Sequence, residues 1–294
     1  MIARPFYASV EYIEAFGMPI VDIPEWQTAV LKRAIPGSDW FDALGCYPLC
    51  SIARDADLAG GLKRLRDAGL VSLAFVANPL EAPDPQALAE SFTICRPFKT
   101  HYLIDRTESS PRLSRTHRRW VRKALQECEV SRLRLLDSLG EWKRLYGAAI
   151  ERHRITGLQK FSPAYFATLA KMPEVEAIGA KVNGELVAMA LWVRDPETVY
   201  YHLGASEARG YESQAMYGIF ALALEHFAEA RTIHLGGAAG LSGDEDDGLA
   251  RFKRGFANRE LNAYFCGACL DPERYDLLSK NFGTTSFFPA YRQS

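Results

Sequence analysis

A phenylalanine and a lysine late in the chain carry the clearest chemical signal in the sequence. Phe252 and Lys253 come after the stretch His234-Leu-Gly-Gly, in which a predicted strand ends at Gly236 and Gly237. A positioned cation stabilises the negative charge that develops on a carbonyl oxygen under nucleophilic attack. Lys253 could be such a cation, and the alternative is a solvated lysine beside a core phenylalanine.

Four further residues could take a proton from an attacking nucleophile if they lie within hydrogen-bond reach of it. They are Asp105, at the end of a predicted strand, Glu207, His202 and His234. A histidine on a strand is more often a core residue whose hydrogen bonds are satisfied. A leaving group that shuttles the proton itself would need no dedicated base, so the identity of the base stays open.

A strongly basic helix is predicted between residues 112 and 126. Four arginines fall at the spacing i, i+3, i+4 and i+7 and therefore share one face: Arg115, Arg118, Arg119 and Arg122. Ser114 is the candidate N-cap, and the apolar stripe is predicted at Trp120, Val121, Ala124 and Leu125. Guanidinium groups grip phosphate oxygens in a forked geometry. The face could therefore hold phosphates, and a merely solvated charged face is the alternative.

The composition restricts the possible partners. The 294 residues carry a net charge of −1, with a pI near 6.6, and 48% of them are hydrophobic. A protein that wraps a long nucleic acid is usually far more basic, so any such contact must be local. There is no run of about 18 apolar residues and no signal-peptide pattern, so we expect no membrane span and a cytoplasmic location.

Two cysteine pairs and one acidic loop have spacings that suggest metal binding. Zinc needs four donors, yet Cys266-Gly-Ala-Cys269 has no second pair at suitable spacing nearby. These two residues, like Cys46 and Cys50, are predicted to be small core residues. The loop from Ser242 to Gly248 lacks the ligand spacing of a calcium loop and is predicted to be a flexible acidic lid that could recognise a substrate amine. No metal is expected.

The periodicity of the first half alternates between strand and helix. A strand-like run covers 44–52, a helix 58–68, a buried strand 70–76, a helix capped by Asp84 reaches about Phe92, and a further strand covers 100–105. A linking strand is predicted at 130–137.

The second half has a more specific order of elements. Helices at 139–154 and from Ser162 to near Met172 precede a hairpin of two strands, 175–182 and 185–193, joined by a type I′ turn at Asn183-Gly184. A strand at 198–205, a long helix at 213–230, a strand at 232–235, a loop, a short helix and a hairpin-like region at 262–270 follow. The sequence therefore predicts an α/β (α+β) fold in which mixed sheets are flanked by helices.

The order of elements from Leu139 to Leu270 resembles a GNAT acyltransferase unit. The glycine-ended strand followed by Gly248-Leu-Ala-Arg-Phe252-Lys253-Arg-Gly-Phe256 resembles the FemABX-like branch of that superfamily. Members of this branch carry two GNAT-like units in tandem, and a basic helix closes the first. The resemblance implies a degenerate N-terminal unit at 1–130 and a C-terminal acyltransferase unit at 131–294.

The resemblance also implies an activity. Such enzymes transfer an aminoacyl group from aminoacyl-tRNA to the amine of a peptide-like acceptor, for example a cell-wall precursor or a peptidyl natural product. Lys253 would stabilise the tetrahedral intermediate, and Phe252 would stack on the terminal adenosine of the donor. The expected catalytic set is Lys253, Asp105 and His202. The expected donor and substrate contacts are Phe252, Arg254, Gly236, Gly237, Tyr201 and the four arginines of the basic helix.

The identity of the donor depends on one segment. Ordinary GNAT enzymes cradle the diphosphate of CoA with an Arg/Gln-x-x-Gly-x-Gly/Ala turn at a helix N-terminus. Here the equivalent segment, residues 207–214, has a single glycine, Gly210, and Glu212 adds negative charge. This favours aminoacyl-tRNA over acyl-CoA as donor, without a further cofactor. The expected partners are the acceptor end of the tRNA and a small peptide-like acceptor, and we expect a monomer. A non-catalytic tandem-GNAT binding protein is the remaining alternative.

Overall fold

The computed structural model describes residues 4–108, 113–238, 247–282 and 285–293. The strands are, in chain order, β1 (Ile20–Ile23), β2 (Thr28–Ala34), β3 (Phe41–Leu44), β4 (Leu70–Ala77), β5 (Ile94–Asp105), β6 (Glu129–Leu133), β7 (Val175–Val182), β8 (Glu185–Arg194), β9 (Thr198–Ser206), β10 (Thr232–Gly237) and β11 (Arg259–Cys269). The α-helices are α1 (Val10–Glu14), α2 (Leu58–Asp67), α3 (Pro85–Ser91), α4 (Arg115–Glu127), α5 (Leu139–His153), α6 (Pro163–Leu169), α7 (Ala208–Glu212), α8 (Ala215–His226), α9 (Gly248–Arg254) and α10 (Pro272–Ser279). The predicted fold class, mixed sheets flanked by helices, is confirmed.

The chain divides into two compact units. Unit 1 comprises Met1–Lys99 and Asn262–Ser294, and unit 2 comprises Thr100–Leu261. The boundary predicted at 130 falls inside unit 2, and the last part of the chain belongs with the first. Sequence periodicity identifies strands but does not reveal which distant strands pair, so it gives no signal for a chain that returns to its first unit.

Unit 1 is built on the strand order β1-β2-β3-β4-β11. Only the β3–β4 pair in this series is parallel. The core packs α2 against β4, with Trp26 and Phe75 among its buried side chains. Cys46, Cys50 and Cys266 are buried and Cys269 is half-buried, which confirms the prediction that the cysteines are largely core residues.

Unit 2 has the strand order β5-β10-β9-β8-β7-β6, in which β9 and β10 run parallel and the other neighbours are antiparallel. Helix α8 packs on β6, β7 and β8, with α4 against it, while α5 packs on β8 and β9. Two neighbouring residues of β9 show which helices cover the two faces of the sheet. Tyr201 contacts Phe220 of α8, and the next residue, His202, contacts Tyr165 of α6. Successive strand residues point to opposite faces of the sheet, so α8 and α6 cover different faces.

Most local predictions are confirmed by the structure. Helix α2, strand β4, helix α3 with its Asp84 cap, and helix α5 lie where the sequence places them. Asn183 and Gly184 both have positive φ, at 53° and 82°, as a type I′ turn between β7 and β8 requires.

Several predicted elements differ from the structure. The long helix predicted at 213–230 is the shorter α8, which begins after Gln214, because the left-handed φ of 58° at Gln214 separates it from the preceding α7. The linking strand predicted at 130–137 is β6, which ends at Leu133. The region at 262–270 lies in one strand, β11, and not in a hairpin; Gly267 there makes room for the ring of Phe288 and forms no turn. Strand β3 ends at Leu44, and the residues after it are irregular, because Pro48 cannot donate to a ladder.

Membrane-spanning and metal-binding features are both lacking in the described residues. No helix in this part of the chain is long and apolar enough to cross a membrane. Within the same residues, no group of three or more His, Cys, Asp or Glu side chains is arranged to hold a metal ion. Residues 242–246 of the predicted acidic lid lie outside the described residues.

Candidate active site

The parallel strands β9 and β10 part at their carboxyl ends. Their pairing extends from Thr232 to His234, which lies opposite Tyr200, whereas β9 continues to Ser206 and β10 to Gly237. On its other side, the register of β10 against β5 shifts immediately after His234. In open α/β sheets the crevice outside the carboxyl ends of the strands is the usual ligand site. The end of β10 is therefore the expected place for a reactive site.

The glycine pair at the end of β10 is required by two close neighbours. Gly236 has a φ of +74°, and a β-carbon there would lie 3.3 Å from Nζ of Lys253. A β-carbon at Gly237 would lie 2.9 Å from Cδ2 of His101. The first position needs the conformational freedom of glycine, and the second needs its lack of a side chain. The pair thus allows an ammonium and an imidazole to approach one strand end.

Lys253, on α9, points into the protein and not into bulk water. Its side chain belongs to a residue that is only 5% exposed, and its Nζ donates a 2.7 Å hydrogen bond to the carbonyl oxygen of Gly237. Nζ also lies 5.3 Å from the ring centroid of Tyr201, which is a cation–π contact. Burying an ammonium is costly, so a lysine held in this position is a candidate for function.

Two buried histidines meet near the end of β10. Nδ1 of His101 on β5 lies 3.0 Å from Nε2 of His234 on β10, and the residues are 6% and 2% exposed. Burial and, second, the charge of Lys253 lower the pKa of His234 to about 3, so this ring is neutral at neutral pH. The sequence names His234 as a candidate base but misses His101. The two residues are 133 positions apart, and only the β5–β10 register brings them together.

The structure places Asp105 away from this cluster. It pairs with Thr232 at the start of β10, four residues along β5 from His101 and therefore roughly 13 Å away. Its carboxylate accepts hydrogen bonds from the backbone N–H (2.9 Å) and hydroxyl (2.6 Å) of Thr107 and pairs with Arg259 at 2.6 Å. These contacts, the Thr107 hydroxyl first, lower the pKa of Asp105 to about 2. The Asp105 carboxylate is therefore a weak base, and its bonds to Thr107 are suited to stabilising the turn that follows β5.

His202 and Glu207 also lie apart from Lys253. His202 is buried with Nε2 2.8 Å from the hydroxyl of Tyr165, and burial lowers its pKa to about 3. It lies on the face of β9 opposite to that of Tyr201, the residue that contacts the lysine. Glu207 follows the end of β9, where its carboxylate pairs with Arg144.

Phe252 and Arg254 flank the lysine on α9. The ring of Phe252 is partly buried, with its centroid 4.7 Å from that of Phe220 and 4.8 Å from that of Tyr217. Arg254 donates to the hydroxyl of Tyr102 at 3.1 Å. Both residues lie next to the site, and a donor contact for either stays a prediction.

The basic helix α4 contacts α9 through its first turn. Ser114 caps it as predicted, since its hydroxyl accepts from the backbone N–H of His117 at 3.1 Å. Arg115, Arg118, Arg119 and Arg122 are all exposed. The predicted apolar stripe is wrong at Leu125, which is 55% exposed; His117 turns inward instead, with Nε2 3.1 Å from the carbonyl oxygen of Phe252. An exposed arginine face therefore belongs to a helix whose first turn contacts the site helix.

Comparison with known proteins supports a GNAT-type fold. Residues 112–254 match the family described as an acetyltransferase (GNAT) domain. The structure of FemX is similar with a TM-score of 0.62 at 13% identity, covering 92% of this chain and 93% of FemX. L-PGS from Bacillus licheniformis is similar with a TM-score of 0.59 at 13% identity, covering 97% of this chain and all of that one (100%).

A third similar structure is the C-terminal domain of a protein assigned as a lysylphosphatidylglycerol synthetase from Agrobacterium fabrum. Its TM-score is 0.64 at 14% identity, and the match covers 92% of this chain and 89% of that one. No curated protein matches the sequence. Identities this low establish the fold, and the chemistry has to be argued from the residues.

Proposed function

We propose that this protein is an acyltransferase that moves an aminoacyl group from aminoacyl-tRNA to the amine of a peptide-like acceptor, forming a peptide bond. The observation that carries the proposal is the buried ammonium of Lys253, held 2.7 Å from the Gly237 carbonyl where β9 and β10 part. The carboxyl ends of parallel strands are the usual ligand sites of open α/β sheets, which supports a role for this ammonium at the end of β10.

The chemistry needs a cation of this kind. Attack of an amine on an ester passes through a tetrahedral intermediate whose oxygen is negative. An ammonium has three N–H donors, and the bond to Gly237 sets the orientation of the group. A donor already oriented before the reaction costs no reorganisation during it, and one such donor contributes about 10²–10³-fold to the rate.

The segment after β9 supports a donor other than acyl-CoA. Gly210, its single glycine, is needed for packing, since a β-carbon there would lie 2.5 Å from the carbonyl oxygen of Val187. Helix α7 has only five residues, and its N-cap, Glu207, is an acidic residue that makes no side-chain cap bond. A diphosphate at this helix start would meet a carboxylate in place of a cradle of glycine amides.

The exposed arginines of α4 supply a surface for the acceptor end of the tRNA. Arginine binds phosphate oxygens well, and a local patch is compatible with a net charge of −1. Phe252, whose carbonyl oxygen contacts His117 in the first turn of α4, is our candidate for stacking on the terminal base.

The test measures deacylation of two donor classes. The protein is incubated with charged total tRNA and, separately, with acetyl-CoA and longer acyl-CoAs, together with a panel of amine acceptors. We expect transfer from tRNA, and a loss of about 10²–10³-fold in Lys253→Ala. Lys171→Ala, at an exposed lysine of the same unit, is the matched control, and circular dichroism verifies folding of both variants.

The other outcomes identify the alternatives. The match to an acetyltransferase family favours a CoA-dependent N-acyltransferase as second candidate, and turnover of acyl-CoA alone would establish it. Turnover of neither donor would leave a non-catalytic binding protein.

A further inference from the structure

We infer that His117 is a positioning residue that holds Lys253 in place for the reaction, by a hydrogen bond to the carbonyl group of the peptide bond that precedes the lysine. The inference rests on the proposed acyl transfer, and it holds for either donor class. No pattern in the sequence indicates this role, since His117 and Phe252 are 135 positions apart.

Both ring nitrogens of His117 have a partner. Nε2 lies 3.1 Å from the carbonyl oxygen of Phe252, and Nδ1 lies 3.1 Å from the hydroxyl oxygen of Ser114. A carbonyl oxygen can only accept, so Nε2 carries a proton and donates to Phe252. The residue is 8% exposed, and the ring centroids of Tyr217 and Phe256 each lie 5.2 Å from that of His117. The imidazole is therefore held in one orientation between α4 and α9.

The carbonyl group of Phe252 needs a donor from outside its own helix. In a regular α-helix this oxygen would accept from the backbone N–H of Phe256. That N–H instead bonds to the carbonyl oxygen of Lys253 at 3.0 Å, where the chain leaves α9. The last carbonyl groups of a helix lack intrahelical partners, and side chains are one way of satisfying them. His117 supplies this partner at the end of the helix that carries the lysine.

Gly255 leaves the space that the imidazole occupies. A β-carbon at this position would overlap Nε2 and Cε1 of His117. The buried ring could not keep its bond to Phe252 if residue 255 had a side chain. The approach of His117 therefore accounts for the glycine that follows Phe252-Lys253-Arg254.

These contacts fix Lys253 at two points. The oxygen bound by His117 belongs to the planar peptide group that contains the backbone nitrogen of Lys253. At the far end of the side chain, Nζ donates to the carbonyl oxygen of Gly237 at 2.7 Å. An ammonium that stabilises an oxyanion has to be oriented before the reaction, and a misplacement of about 1 Å can cost about 10²-fold in rate.

His117 also joins the lysine helix to the basic helix. It lies in the first turn of α4, in sequence between the exposed residues Arg115 and Arg118. A donor whose phosphates are held on α4 would therefore have its ester at a distance from Lys253 that His117 helps to set. We thus expect the loss of His117 to slow the catalytic step more than it weakens donor binding.

The kinetic test compares His117→Gln with His117→Asn. Glutamine has an amide N–H at the reach of Nε2, whereas the amide of asparagine reaches only as far as Nδ1. Both variants lose the ring, but only glutamine retains a donor for Phe252. We expect kcat for transfer from charged tRNA to fall by about 10²-fold in the asparagine variant, with KM unchanged, and to recover in the glutamine variant. His153→Asn, at an exposed histidine of the same unit, is the matched control.

Three kinetic results would overturn the inference. Equal kcat values in the two His117 variants would mean that the ring, and not its bond to Phe252, is what matters. A change in KM alone would mean that His117 acts in donor binding. A wild-type rate in His117→Asn would mean that the bond has no part in catalysis. Urea unfolding of each variant ensures that the rates refer to folded protein.

A second test does not depend on activity. Hydrogen exchange followed by mass spectrometry reports on the backbone amides at the end of α9, which include those of Gly255 and Phe256. We expect these amides to exchange about tenfold faster in His117→Asn than in the wild type or in His117→Gln, because one hydrogen bond at the helix end is lost. Equal exchange in the three proteins would contradict the inference.

The two proposals fail in different ways. If the wild-type protein transfers no acyl group from any donor, the proposed function fails, and the role of His117 in transfer fails with it. If the wild type does transfer and His117→Asn keeps its rate, only the role of His117 fails.

Discussion

The packing at the end of β10 depends on two residues that have no β-carbon, Gly236 and Gly237. A glycine pair suits this strand end because Gly236 has a φ of +74° and because a β-carbon at Gly237 would lie 2.9 Å from Cδ2 of His101. The glycine pair therefore has a steric and conformational role in this structure. A side chain at Gly237, whose carbonyl oxygen accepts from Lys253, would displace the ring of His101.

Gly237→Ala tests this requirement. The new methyl group would lie 2.9 Å from Cδ2 of His101 and would push the ring away from the strand end. Overpacking of this kind costs about 1–3 kcal/mol in unfolding free energy. We expect this loss in urea unfolding together with a larger fall in transfer rate than the stability change explains.

Gly147→Ala is the control for that substitution. Gly147 is in the middle of helix α5, and a β-carbon there meets no atom within 4 Å. The change should stabilise the protein by about 0.5–1 kcal/mol through helix propensity, and the rate should stay at the wild-type value. Equal effects of the two substitutions would argue against a steric role for Gly237.

Helix α4 acts as one element with two faces. Its first turn contacts α9 through His117, while four arginines face solvent. The sequence predicted both the N-cap and the arginine face. The predicted apolar stripe was wrong because a helical repeat alone does not show which side chains face a partner element. His117 faces inward and Leu125 faces solvent, and the sequence did not indicate this.

Replacing Arg115, Arg118, Arg119 and Arg122 together by glutamine should weaken tRNA binding without unfolding the helix. The slope of log affinity against log salt concentration should become less steep by about 0.7–0.9 for each phosphate that the variant no longer neutralises. Fluorescence anisotropy with labelled tRNA over a salt series measures this slope. Glutamine replacements at Arg132 and Arg134, near the edge strand β6, provide the control. An unchanged slope in the α4 variant would mean that its arginines are only solvated.

At the scale of the whole molecule, the end of the chain completes unit 1. Asp42 is fully buried, and its carboxylate accepts from Arg292 at 2.9 Å, from Arg33 at 3.0 Å and from the hydroxyl of Tyr291 at 3.3 Å. Tyr291 also bonds to Ser72 at 2.7 Å. The returning segment therefore supplies charge compensation to a carboxylate in the core of that unit.

Arg292→Ala should destabilise unit 1 by about 3–5 kcal/mol, because it removes a partner from a buried charge. Arg274→Ala is the matched control, since this arginine makes an exposed pair with Asp271 at 3.4 Å, worth less than about 1 kcal/mol. Urea unfolding compares the two variants. Similar losses in both would mean that the Asp42 cluster contributes no more than a surface pair.

Two buried histidines should make the protein sensitive to mild acid. The pKa values of His202 and His234 are lowered to about 3, whereas an unfolded histidine titrates near 6.5. Below that unfolded value the unfolded chain binds protons that the folded chain does not. The stability from these groups is present above pH 6.5 and is lost as the pH falls toward 3, by about 1.4 kcal/mol per pH unit for each histidine.

Urea unfolding between pH 7 and pH 4.5 measures this loss. His202→Asn should reduce the slope by about 1.4 kcal/mol per pH unit. The pKa values of Asp105, Glu25 and Glu176 are lowered from 3.8, 4.5 and 4.5, so these carboxyls add to the slope near pH 4.5, and the difference between the wild type and His202→Asn isolates the histidine. A flat profile down to pH 4.5 would show that the two rings are protonated in the folded protein.

The sequence by itself determined the local features of this protein. The Asn183-Gly184 turn, the caps at Asp84 and Ser114, and the glycine-ended strand before Phe252-Lys253 all depend on residues a few positions apart. Backbone conformation, capping bonds and helical repeats depend on residues that are close in sequence. They can therefore be predicted from short segments of the chain. The order of elements, and with it the GNAT-type fold class, follows from the same signals.

Only the tertiary structure decided which distant groups meet. The register of β5 against β10 places His101 beside His234, and it leaves Asp105 well away along the same strand. The same kind of long-range pairing returns residues 262–294 to unit 1. Such pairings are set by the packing of whole sheets, and a one-residue change of register would turn every side chain to the other face. Short-range patterns therefore locate the lysine, but they give no information about the pairing of the two imidazoles.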